Sequence, residues 1–197
     1  MQVCTSATRR HTIPVTLHPG PLDDALSTER FDLGPPPRPG ATVTRMGRVN
    51  AAIDVPGQAS DAEALWYDHR RRPTFIDGLK SVVRIEGDWP HAGALVLWDA
   101  WPGGRGRVLE RVVAHEPRVG QTLEVEDEQL RGTQRVAFTP HAGGVTITLE
   151  LRYELKDPRL RWPPLDLLTA RRPQREALER TLRRFAAELH AERDPAI

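Results

Sequence analysis

The chain has 197 residues, with 28 Lys+Arg against 27 Asp+Glu and a formal net charge of +1. At about 150 residues per domain, this length suits one domain plus an appendage. There is no run of 18 apolar residues and a single cysteine, Cys4, which argues against a transmembrane helix, an internal disulfide framework and a zinc–thiolate cluster.

All basic residues except Lys80 and Lys156 are arginines. Residues 1–40, 41–156 and 157–197 carry net charges of 0, −1 and +2. No segment is polarised enough to expect nucleic acid as a partner. The seven histidines are scattered and form no His-x-x-x-His pair, so neither a metal nor another cofactor is expected. No Gly-x-Ser-x-Gly elbow is present for nucleophilic catalysis.

Residues 1–42 read as a Pro-rich, irregular leader and 43–197 as the folded domain. Pro14–Gly40 holds seven prolines and three glycines, and proline withdraws amide donors and fixes φ. Within the leader, Thr12–Leu17 is expected as a short strand and Leu22–Phe31 as a short helix. Arg9-Arg10 is not followed by an uninterrupted apolar stretch, so no signal peptide is read and a cytoplasmic location is expected. The compositional break before Met46 suggests that translation starts there. Peptides from residues 1–45 in protein from its native host would refute this.

Val49, Ala51 and Ile53 open a period-two strand that Pro56-Gly57 ends. Ser60 or Asp61 is expected to cap a short helix through Tyr67, and Pro73–Gly78 a second helical turn. Leu79–Asp88, Ala94–Trp101, Gly106–His115, Thr122–Asp127, Gln134–Thr139 and Val145–Lys156 read as strands joined by Gly/Pro turns. The last is the clearest. Val145, Ile147, Leu149, Leu151, Tyr153 and Leu155 alternate with polar residues, as in an antiparallel sheet covered on one face. Trp162-Pro163-Pro164 is read as opening a helix that Pro173 interrupts. From Gln174 onward Leu178, Leu182, Phe185 and Leu189 fall on one helical stripe, giving a helix of about 18 residues.

Strands followed by a terminal helix mean an α+β fold. One helix cannot cover a long sheet unless the sheet curls around it, which leaves room for a cavity between them. Four segments in this order carry a resemblance: Leu65–Gly78, Arg111–Pro117, Phe138–Thr148 and Leu178–Phe185. Together they resemble the SRPBCC, or START-like, superfamily, and most of all its polyketide cyclase/dehydrase-like branch, over residues 43–192. That resemblance implies the helix-grip fold: a curved antiparallel sheet of about seven strands, two short helices after strand 1, and a long C-terminal helix packed on the sheet.

The expected function is binding of a small apolar ligand, lipid-like or aromatic, between sheet and helix. The alternative is a cyclase/dehydrase-like enzyme that uses a polar cavity residue for proton transfer. A cavity with one or two charged side chains would suit binding, whereas convergent Arg, Glu and His would suit catalysis. Trp66, Phe75, Trp98, Glu110 and Phe138 are the candidate ligand-binding residues. Each aromatic serves equally as core packing. Glu110 shares strand parity with Val108, Val112 and Ala114, opposite Leu109, Arg111, Val113 and His115. On the inward face it would be a buried carboxylate suited to acid/base work; on the outward face it would be solvated. Glu124, Glu126, Asp127 and Glu128 form an acidic run whose glutamates read as a solvated strand face, with Glu128 and Arg131 near a cavity mouth. Arg70-Arg71-Arg72 reads as a solvated basic cluster or a contact for an acidic head group.

Overall fold

The computed structural model describes residues 46–157 and 170–193. The strand Thr12–Leu17, the helix Leu22–Phe31 and the helix opening at Trp162 lie outside those residues. The elements in chain order are β1 (Gly47–Val55), α1 (Ala59–Tyr67), α2 (Arg72–Phe75), β2 (Leu79–Glu86), β3 (Leu95–Ala100), β4 (Arg107–Glu116), β5 (Gly120–Glu126), β6 (Leu130–His141), β7 (Gly144–Leu155) and α3 (Arg172–Arg193).

The seven strands form one antiparallel sheet in the order β1-β7-β6-β5-β4-β3-β2. After β1, the two short helices carry the chain to the opposite edge. It then returns strand by strand until β7 pairs with β1. This is the helix-grip architecture that the resemblance implies. On β7 every residue of the apolar set is buried, and the set between them is half-buried or exposed. The helix α3 lays Leu178, Thr181, Leu182, Phe185 and Leu189 against the sheet and the short helices.

Several boundaries differ from expectation, each for a local reason. Gln58 rather than Ser60 or Asp61 stands at the N-cap of α1, and Asp61 falls in the first turn, where its charge suits the helix dipole. The strand β6 begins four residues early, because its start is polar (Arg131, Thr133) and shows no apolar alternation. Pro173 is the second residue of α3. At 22 residues, α3 is longer than expected and spans roughly 33 Å at 1.5 Å per residue.

Close strand packing shows at Gly132, opposite Tyr153. A Cβ there would collide with the Arg152 carbonyl oxygen and the Tyr153 Cα, both backbone atoms that cannot swing away. Gly132→Ala is expected to destabilise the fold by about 1–3 kcal/mol, measured by urea unfolding.

Candidate functional site

Glu110 lies on the inner face of β4, buried with Val108 and Val112. The parity reading holds only that far. A bulge between Val112 and Ala114 reverses the alternation, so Ala114 is exposed and the His115 side chain turns inward.

The carboxylate has two partners. Arg72 Nη2 donates to Glu110 Oε2 at 2.7 Å, and Trp98 Nε1 donates to Oε1 at 2.9 Å. Arg72 and Glu110 are each only 3% exposed. Arg72 opens α2 just before Pro73, and its guanidinium carbon sits 5.2 Å from the centre of the Trp89 ring. The buried ion pair therefore ties α2 to the inner face of β3 and β4. The expected solvated cluster at Arg70-Arg71-Arg72 is corrected here. Arg70 is exposed and Arg71 pairs with Glu188 and Glu192 of α3, but Arg72 is core.

Beside this pair is a cavity of about 360 Å³ between the sheet and the first turns of α3. Trp98, Leu149, Leu151, Leu178 and Ala177 supply apolar wall, and Gln129, Gln134 and Gln174 supply neutral polar groups. Among the described residues, four charged ones also line it: Asp77, Arg105, Glu110 and Arg180. Each is already paired. Arg180 grips Asp77 with two nitrogens, at 3.1 and 2.9 Å, and Arg184 adds a third contact at 3.2 Å. Arg105 pairs with Asp127. The Asp77 amide also donates to Thr181 Oγ1 at 2.9 Å, which joins the α2–β2 turn to α3.

Of the five sequence candidates, Trp98 and Glu110 line the cavity. Trp66 and Phe75 instead pack on Phe185 of α3, with ring centres 5.4 and 5.2 Å from it. Phe138 is buried beside Tyr67. Sequence reasoning missed Arg72 and Asp77, which position the cavity wall. It saw Asp127 only as part of an acidic run, whereas that residue is buried. Its Oδ1 accepts the Gln129 and Leu130 amides at 2.7 and 2.8 Å, so it shapes the β5–β6 turn. From that turn Gln129, rather than Glu128 or Arg131, reaches the cavity. Arg131 pairs with Glu154 instead. Among the described residues no group of three His, Cys, Asp or Glu side chains is arranged to hold a metal ion.

Tyr67 Oη and both ring nitrogens of His115 are buried without a hydrogen-bond partner. Burial first, and the Glu63 charge second, push the Tyr67 phenol well above its ordinary value of 10.0. The folded state thus resists ionisation that the unfolded chain undergoes near pH 10, and stability falls as pH rises beyond that point. Tyr67→Phe is expected to flatten this alkaline loss. Because the hydroxyl has no partner, stability near pH 7 should stay within about 1 kcal/mol of wild type. Urea melts at the two pH values check both.

The comparisons with known proteins agree with this architecture. No curated protein sequence matches the chain. Among solved structures, TTHA0849 from Thermus thermophilus is similar with a TM-score of 0.61 and 22% identity, covering 74% of this chain and 99% of that one. Norcoclaurine synthase from Thalictrum flavum, in complex with dopamine and hydroxybenzaldehyde, has a TM-score of 0.56 at 13% identity, covering 74% and 87%. Ara h 8.0201 has a TM-score of 0.56 at 12% identity, covering 75% and 99%. At these identities the likeness is one of fold. Among the described residues no helix is long and apolar enough to cross a membrane. The family model described as polyketide cyclase / dehydrase and lipid transport matches residues 46–190, and the chain belongs to that family.

Proposed function

We propose that the protein binds a small apolar ligand, lipid-like or aromatic, in the cavity between the sheet and α3. The observation that carries this reading is the pairing of the cavity's charges. Among the described residues, four charged side chains exceed the one or two expected of a simple carrier, yet each has an opposite charge as partner and no histidine lines the space. The lining left to meet a ligand is mostly apolar side chains and neutral amides, with Arg105 Nη2 buried and without a hydrogen-bond partner. Burial of an apolar ligand is worth about 25 cal/mol per Å² of its surface. The carboxylate oxygens of Glu110 keep lone pairs for a ligand hydroxyl at the polar end. The ligand-binding unit in this reading is residues 43–197, with the Pro-rich 1–42 as an appendage to it.

A catalytic reading has one observation in its favour, the buried carboxylate in the cavity wall. Its two partners make it a fixed acceptor rather than a free proton carrier. Glu110→Gln separates the two readings. The substitution also removes the counter-charge of buried Arg72, so both assays are run under conditions where urea unfolding shows the variant folded; a carrier should then lose no more than about tenfold in affinity, whereas a general acid/base would lose about 10²–10⁴-fold in turnover.

Ala177→Trp tests the binding site itself. Ala177 is half-buried at the cavity wall, and an indole there should fill the space. Uptake of a fluorescent fatty acid should fall at least about tenfold while the unfolding midpoint stays near wild type. Undiminished uptake would move the ligand elsewhere.

A further inference from the structure

The strand β1 forms one edge of the sheet, and the first turns of α3 pack beside it. Between them lies a groove of about 360 Å³ lined by Arg48, Val49, Asn50, Arg171, Arg172 and Arg175. Four of these six carry guanidinium groups and none carries a carboxylate.

Three of the arginines touch carboxylates outside the groove: Arg48 reaches Glu150 at 2.7 Å, Arg172 reaches Glu176 at 2.9 Å and Arg175 reaches Glu179 at 3.1 Å. Each contact uses part of a group that has five N–H donors. These side chains are 60%, 81% and 67% exposed, so the pairs are weak and the remaining donors stay available. Arg171 has no carboxylate partner among the described residues.

The first turn of α3 carries no acidic residue and presents Arg172 and Arg175.

We propose that this groove is an anion site that holds a phosphate group through Arg48, Arg171, Arg172 and Arg175. The planar guanidinium fork matches phosphate oxygens two at a time, and the Asn50 amide offers a neutral donor beside it. The same helical turns face both sites: Pro173, Gln174 and Ala177 line the cavity, and Arg172 and Arg175 line the groove. The site stands independently of the ligand reading. Its phosphate comes from a lipid head group or from a free phosphoester.

The experiment uses the full chain, the double variant Arg171→Gln/Arg175→Gln, and a control, Arg84→Gln/Arg118→Gln, which removes the same charge from exposed positions elsewhere. The probes are phosphatidylcholine vesicles containing phosphatidylglycerol, and inorganic pyrophosphate. Wild type should bind at least one probe, more weakly as salt rises. The groove variant should lose at least about tenfold in affinity and the control much less. Loss confined to vesicles assigns a lipid head group; saturable pyrophosphate binding assigns a free phosphoester. No binding of either probe, or equal loss in the control, would overturn the proposal.

Discussion

Arg72→Met should destabilise the protein by about 3–5 kcal/mol, the cost of leaving a buried carboxylate without its partner. Arg72 and Glu110 are both 3% exposed and 2.7 Å apart, so solvent cannot replace the lost charge. The double variant Arg72→Met/Glu110→Leu should recover most of that loss, because apolar residues of similar volume often replace a buried pair at little cost. A double-mutant cycle by denaturant unfolding measures the coupling. If the single and double variants are equally unstable, the ion pair is not what anchors α2. The geometry makes a second demand. Trp98 Nε1 also donates to Glu110, so the double variant must leave one buried indole donor unpaired. Recovery should therefore fall short of wild type by about 1–3 kcal/mol.

Phe185→Ala should cost about 3–5 kcal/mol in its own right, as is typical of emptying a buried aromatic site. Phe185 is fully buried and meets Trp66 of α1 and Phe75 of α2 at ring-centre distances of 5.4 and 5.2 Å. It joins α3 to both short helices. The upper turns of α3 form one wall of the cavity, so ligand affinity should fall along with stability. Phe185→Leu should lose less of both, because it keeps most of the volume. Leu182→Asp, one turn away at a site 1% exposed, puts an unpaired charge in the same interface and should prevent α3 from docking at all.

The strands and the terminal helix were legible because their patterns have a single physical period. The alternation from Val145 to Leu155 and the stripe Leu178, Leu182, Phe185, Leu189 each expose one face and bury the other. Half of the site was legible for the same reason, since Glu110 shares parity with Val108 and Val112. Other features were not, and each failure has a tertiary cause. Arg70, Arg71 and Arg72 are identical in sequence, and only the placement of Glu110, 38 positions later, selects Arg72 for burial. His115 reads as outward until a bulge that no local motif announces turns it in. Asp127 continues an acidic run, but the demand of a tight turn for amide acceptors buries it. Trp66, Phe75 and Phe138 have the character of pocket-lining residues, yet ring-on-ring packing beneath α3 and beside Tyr67 takes them up. A patterned face reveals burial but not which buried residues border empty space.

The central claim is that the space under α3 holds an apolar ligand. Native mass spectrometry of protein isolated from its own host, before and after organic extraction, tests it most directly. We expect a non-covalent adduct of a few hundred daltons on wild type, removed by extraction and absent from Ala177→Trp. Wild-type protein that carries no adduct and takes up no apolar compound on incubation, or an adduct retained in Ala177→Trp, would contradict the account.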